Sequence, residues 1–195
     1  KAEAGKTTAF IGSTGSGKST LINLVPRFFD ATAGEILISG VDIKKYPEAT
    51  LMKRIGYVPQ KGYLFAGTVR SNILFGVNEG SIGSMKKAAK VAQAAEFINK
   101  MPEKYESKIA EGGTNVSGGQ RQRLSIARAL AKEPEILIFD DAFSALDMKT
   151  DSKLREALKA VTQNTVMLVV AQRMSTVRDA EQSIVLDRGK IVGKG

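Results

Sequence analysis

Eight residues near the start of the chain constrain its fold more than any other feature. Gly12-Ser-Thr-Gly-Ser-Gly-Lys18-Ser19 matches the pattern G-x-x-x-x-G-K-[ST] at every fixed position. A short β-prone run, residues 7–11, leads into it, and residues 18–27 leave it with the apolar spacing of a helix. Strand, glycine turn and helix in that order begin an α/β unit. Glycines let the backbone curl until its N–H groups converge on phosphate oxygens. The positive end of the following helix faces the same point. Lys18 is then placed to bridge β- and γ-phosphates, and the Ser19 hydroxyl to ligate Mg²⁺. A plain helix-capping turn would not need the lysine and the hydroxyl in this register.

The remaining elements extend the α/β reading. Residues 35–39 and 41–43 flank Gly40 and predict a small hairpin, and residues 55–58 a strand closed by Pro59. From about Thr68 to Met101 the pattern is helical, and Pro102 stops it. Residues 117–131 predict a helix that starts at Ser-Gly-Gly. Residues 135–139, apolar from Ile136 to Phe139, read as a buried parallel strand. A helix over residues 151–161, a strand over 165–171 and two short strands complete the chain. The expected fold is α/β, with a mostly parallel sheet and a small antiparallel β part. A helical insertion covers about residues 65–116 and, with the helix after it, forms a helical subdomain over about 65–132.

Composition narrows the chemistry. The 195 residues include no cysteine and no histidine. Disulfides, thiol catalysis, imidazole bases and the usual zinc sites are excluded. Carboxylates, amides, hydroxyls, lysines and backbone groups remain. The apolar strand Ile136-Leu-Ile-Phe ends in Asp140, which emerges at the carboxyl end of a sheet, where ligands of open α/β folds bind. With the glycine loop, it supplies the second oxygen ligand for Mg²⁺. The net charge is +9, but the basic residues are scattered, the longest runs being pairs such as Lys44-Lys45, and only 6% of residues are aromatic. This predicts a solvated basic surface with phosphate binding added, and no nucleic-acid partner. No stretch reaches the roughly 18 apolar residues of a membrane span, and no signal peptide is visible. Asn115-Val-Ser117 matches the N-glycosylation pattern, a short motif expected here to be accidental.

Val116-Ser-Gly-Gly-Gln-Arg-Gln-Arg123 is the most specific motif. It resembles the signature sequence of ATP-binding cassette (ABC) ATPases. By itself it is a second anion site, a serine and two glycines at a helix N-terminus. The resemblance implies a P-loop NTPase core in which the signature of one subunit completes the phosphate loop of another, with ATP and Mg²⁺ between them. On this chain Gly12, Ser13, Thr14, Gly15, Ser16, Gly17, Lys18, Ser19 and Thr20 would hold its own ATP. Ser117, Gly118, Gly119 and Gln120 would contact the partner's. Gln60, after Val58-Pro59, matches the glutamine that meets Mg²⁺ and the attacking water. Ser144-Ala-Leu-Asp147 is similar to the loop that crosses the dimer interface, and brings Asp147 to the nucleotide. Residues 61–76 and Glu111-Gly112-Gly113 are similar to exporter segments, which implies a transmembrane domain as partner and a place on the cytoplasmic side of a membrane.

The resemblance covers essentially all of residues 1–195 as a single nucleotide-binding domain. It also implies trimming: the adenine-stacking aromatic is expected upstream, further helices downstream, and the membrane domain elsewhere. Two positions depart from the family. Asp141 stands where the family's Glu positions the attacking water, and Gln172, in Ala171-Gln172-Arg173, stands where exporters carry His. Both serve the same ATP, whereas the signature is regular. The expected reading is a heterodimeric exporter half whose own site is degenerate. Its partner would supply Glu and His. The rival readings are a homodimeric exporter domain that hydrolyses ATP with Asp141, and a soluble ABC ATPase acting on nucleic acid.

Overall fold

The computed structural model describes residues 1–77, 81–172 and 177–195. Its elements run β1 (Thr7–Ile11), α1 (Lys18–Asn23), β2 (Leu37–Ile38), β3 (Val41–Asp42), α2 (Glu48–Arg54), β4 (Ile55–Val58), β5 (Gly67–Thr68) and α3 (Val69–Ile73). They continue with α4 (Ile82–Val91), α5 (Ala95–Lys100), β6 (Lys108–Ile109), α6 (Gly118–Ala131), β7 (Ile136–Asp140), α7 (Met148–Val161), β8 (Val166–Val170), β9 (Gln182–Asp187) and β10 (Lys190–Lys194).

The main sheet has six strands in the order β10-β9-β1-β8-β7-β4. The pairs β4–β7, β7–β8, β8–β1 and β1–β9 are parallel, and β10 closes one edge antiparallel to β9. The mixed α/β class with a mostly parallel sheet is as expected, and β2 with β3 forms the small antiparallel pair. Every residue of β7 is buried, because both faces of the sheet are covered. Alternation sorts its side chains. Ile136 and Ile138 face a cluster with Phe10, Ile22, Leu51 and Leu168. Leu137 and Phe139 face the larger cluster that contains Leu124, Ile126, Leu154 and Leu158.

Two local expectations are revised, and one helix was not expected. The helix expected over residues 18–27 ends at Asn23, before Pro26, and Arg27 adopts a left-handed φ of 58°. The helical stretch after Thr68 divides into α3, α4 and α5, with left-handed Gly76 and Gln93 between them. Helix α2 carries one buried residue, Leu51, too little periodicity to stand out in the sequence.

A buried polar knot fixes α3 against α6. Asn72 is 1% exposed and its amide is fully used. Nδ2 donates to the carbonyls of Phe65 and Thr68, and Oδ1 accepts from the Phe65 N–H and from the Arg128 guanidinium at 2.7 Å. Arg128 also donates to the Asn72 and Tyr63 carbonyls and lies over the Phe65 and Phe75 rings. Burial pulls its guanidinium down to about 10. Asn72→Ala removes four hydrogen bonds and strands buried partners, so unfolding in urea should show a loss of about 2–4 kcal/mol. A loss under about 1 kcal/mol would mean the knot is not a stabilising element.

Candidate functional site

Parallel register assembles the site at the carboxyl ends of the central strands. Val58 pairs with Phe139, and Asp140 with Val170. Three chain segments far apart in sequence, at Gln60, Asp140-Asp141 and Gln172, therefore emerge side by side. The glycine loop leaves β1, the next strand but one from β7.

The loop is shaped by its glycines. Gly12, Gly15 and Gly17 all have left-handed φ values, and a Cβ on Gly12 would stand 2.2 Å from the Leu186 carbonyl oxygen. Lys18 opens α1 yet is only 7% exposed. Its ammonium points back into the loop, donating to the carbonyls of Gly12 and Ser13 at 2.8 and 2.7 Å and to Ser16 Oγ at 3.2 Å. All three partners are neutral oxygens, so the charge they surround suits an anion. Ser13, Thr14 and Gly15 form the exposed rim, with Ser19 and Thr20 also exposed on the first turn of α1.

Ser19 Oγ donates to Asp140 Oδ1 at 2.7 Å. A hydroxyl and a carboxylate at one point are hard oxygen donors, the type that suits Mg²⁺. The fit rests on these two residues. Among the described residues there is no cluster of three or more acidic, histidine or cysteine side chains that could hold a metal by itself. Asp140 is further fixed by Tyr57, whose hydroxyl lies 3.2 Å from Oδ2 and 2.9 Å from Asn23 Oδ1. Burial, then the Asp140 charge, raises the Tyr57 hydroxyl well above the usual range and keeps it protonated. Sequence reasoning missed Tyr57. Its only signal was a lone hydroxyl in an apolar strand.

Gln60 does not join the Ser19–Asp140 pair. Its Nε2 donates to Asp141 Oδ2 at 3.0 Å, and Gln172 Nε2 donates to the same oxygen at 2.9 Å. Asp141 is 8% exposed, has a left-handed φ of 50°, and its N–H donates to the Val170 carbonyl. Two amides thus converge on one carboxylate oxygen. Arg173, next to Gln172, lies outside the described residues.

The signature residues stand elsewhere, at the start of α6. Ser117 caps it: its Oγ accepts from the Gln120 N–H, and the Gln120 side chain accepts from the Ser117 N–H, a reciprocal capping box. Ser117 and Gly118 are exposed, and Gly119 lies near the Ala145 carbonyl of the segment before α7. Among the described residues, no hydrogen bond joins Ser117–Gln120 to the glycine loop. Asp147 is exposed and caps α7, accepting from the N–H and the hydroxyl of Thr150. Those bonds hold its carboxyl below the usual range. Glu111 binds the Tyr63 hydroxyl and accepts from the Ala66 N–H, which ties residues 61–76 to the loop before the signature.

Comparison with known proteins agrees with this geometry. A family model described as ABC transporter matches residues 1–144. An uncharacterized ABC transporter ATP-binding protein of Mycobacterium bovis is 47% identical over all of this chain, which covers 34% of that protein. A Staphylococcus aureus protein provisionally named a multidrug export ATP-binding/permease protein is 46% identical over 99% of the chain and 33% of its own length. The solved structure of a bacterial Atm1-family ABC exporter with ATP bound superposes with a TM-score of 0.95 at 39% identity, over 100% of this chain and 34% of that one. The chain thus spans about a third of the length of these relatives. No helix among the described residues is long and apolar enough to cross a membrane. A phosphate-type loop, an acidic strand end and a capped Ser-Gly-Gly helix, read with these matches, place the chain in the ABC transporter family.

Proposed function

We propose that this chain is the ATP-binding domain that drives a membrane exporter, with a slow hydrolytic site of its own. The carrying observation is the meeting of Lys18, Ser19 and Asp140 beside an Asp141 whose Oδ2 is occupied by two amides. Residues 12–20 bind the phosphates of ATP. Lys18 neutralises phosphate charge, and Ser19 and Asp140 would hold Mg²⁺, with Gln60 as a further oxygen ligand. The Mg²⁺ supplies charge neutralisation at the β- and γ-phosphates. Asp141 is one methylene shorter than Glu, so its carboxylate falls about 1 Å or more short of the attacking water. Such a misplacement can cost about a hundredfold in rate.

Ser117, Gly118, Gly119 and Gln120, with Asp147 beside them, serve an ATP on a second, non-identical nucleotide-binding domain. The two domains close around the nucleotides head to tail. Residues 65–132 form the helical subdomain, and the exposed aromatics Tyr63, Phe65 and Phe75 beside Glu111 are the face for the transmembrane domain. The domain then lies on the cytoplasmic side of the membrane. The relative of Staphylococcus aureus and the Atm1-family exporter support export as the direction.

One observation favours a second reading, a homodimeric exporter: Asp141 retains a buried carboxylate at the right strand end. The two readings separate in the assembled transporter. Ser117→Arg in this chain should cut steady-state ATP turnover at least about tenfold, because it spoils the partner's site, whereas Asp141→Ala should change turnover less than about twofold. A comparable collapse in both variants would support the homodimer and sink the asymmetric reading.

A further inference from the structure

Gln122 lies in the signature motif but outside the residues given a role above. It is 1% exposed and sits on α6, five residues past the Ser117 cap. Its Oε1 accepts from the Gly62 N–H at 2.8 Å, and its Nε2 donates to the Pro59 carbonyl at 3.0 Å. One side-chain amide therefore closes both ends of the irregular segment that carries Gln60. The approach is close. A Cβ on Gly62 would stand 3.1 Å from the Arg121 carbonyl oxygen, from Gln122 Oε1 and from Ser125 Cβ. Gln60 itself binds no residue of α6. It reaches Asp141 on the other side.

We propose that Gln122 is a positioning residue that couples the two nucleotide sites, an inference that rests on the function proposed above. It locks the Gln60 segment to the helix whose N-terminus, Ser117–Gln120, serves the partner's ATP. A displacement of the Gln60 segment away from Asp141 would thereby be carried to the signature. The physical ground is that a buried amide with both of its groups paired resists sliding. Removing it strands a buried N–H and a carbonyl, which need a new arrangement of the segment.

The test uses the assembled transporter. Gln122→Met keeps length and volume but makes neither hydrogen bond. Maximal ATP turnover should fall about tenfold, with KM for ATP and fluorescent-nucleotide affinity within about twofold of wild type. Combined with Gln60→Ala, Gln122→Met should slow turnover less than about twofold further, because both act through one segment. Gln122→Glu keeps the acceptor, and regains the donor only when protonated. Its deficit should shrink from about tenfold near pH 8 to about threefold near pH 6. Turnover within about twofold of wild type, full multiplication with Gln60→Ala, or a pH-independent deficit in the Glu variant would each overturn the coupling. If the Met variant does not assemble, the pH profile of the Glu variant decides. Lys18→Ala is measured in parallel. Unchanged nucleotide binding there would overturn the proposed function itself, whereas normal loss there with a silent Gln122→Met overturns the coupling alone.

Discussion

Asp141→Glu together with Gln172→His is expected to raise single-turnover ATP hydrolysis at this chain's own loop by about a hundredfold, or about 2.7 kcal/mol of barrier. The added methylene carries the carboxylate toward the attacking water. The imidazole replaces an amide that now holds Asp141 Oδ2 at 2.9 Å. Asp141→Glu alone should gain less, because Gln172 remains to draw the carboxylate aside. The left-handed backbone at residue 141 suits Asp better than Glu. That strain costs about 1–2 kcal/mol, smaller than the expected gain. The measurement is hydrolysis of limiting labelled ATP by the assembled transporter. A rate unchanged by the double substitution would remove the reason for calling this site slow.

Lys18→Ala is expected to weaken ATP binding by about a hundredfold, close to 3 kcal/mol. A single charge-assisted hydrogen bond to phosphate is worth about 1.5–3 kcal/mol, and this ammonium is placed for more than one. The fold should survive, since the Gly12 and Ser13 carbonyls it leaves belong to a loop with an exposed rim. Titration with a fluorescent nucleotide, beside a thermal melt, separates the two effects. Affinity retained within about twofold would mean that the loop is not where ATP binds.

What the sequence disclosed was the part written locally. The glycine loop, the capped Ser-Gly-Gly helix and the apolar run of β7 each announce themselves within a dozen residues, because backbone conformation and burial on both faces restrict residue choice directly. Helix α2 did not, since one buried leucine makes no pattern. The reach of α1 was overread because Leu24 and Val25 continue the apolar spacing beyond the point where Pro26 forbids it. Contacts between distant segments were hidden for a different reason. Gln60 and Asp141 are 81 residues apart, and only the pairing of β4 with β7 brings them together. The sequence marked Gln60 as a metal contact. Its hydrogen bond to the Asp141 carboxylate depends on side-chain direction, which no motif encodes. Tyr57 and Gln122 were likewise invisible, being ordinary residue types whose importance lies in what they touch.

Helix α6 has 14 residues and so is about 21 Å long. Its far end is held by Arg128 between aromatic rings and the Asn72 amide, and its near end carries the exposed Ser117 cap. A stiff rod gripped at Arg128 and again at Gln122 moves as one body with what it grips. Ser117 lies 11 residues, or about 16 Å, from Arg128 by the helical rise, so a tilt of about 5° at Arg128 swings the Ser117 tip by about 1.4 Å. That sweep exceeds the roughly 1 Å error that can cost a reaction a hundredfold. On the function proposed above, a tilt of a few degrees at the aromatic end is therefore enough to carry Ser117 between in reach and out of reach of a partner's phosphate.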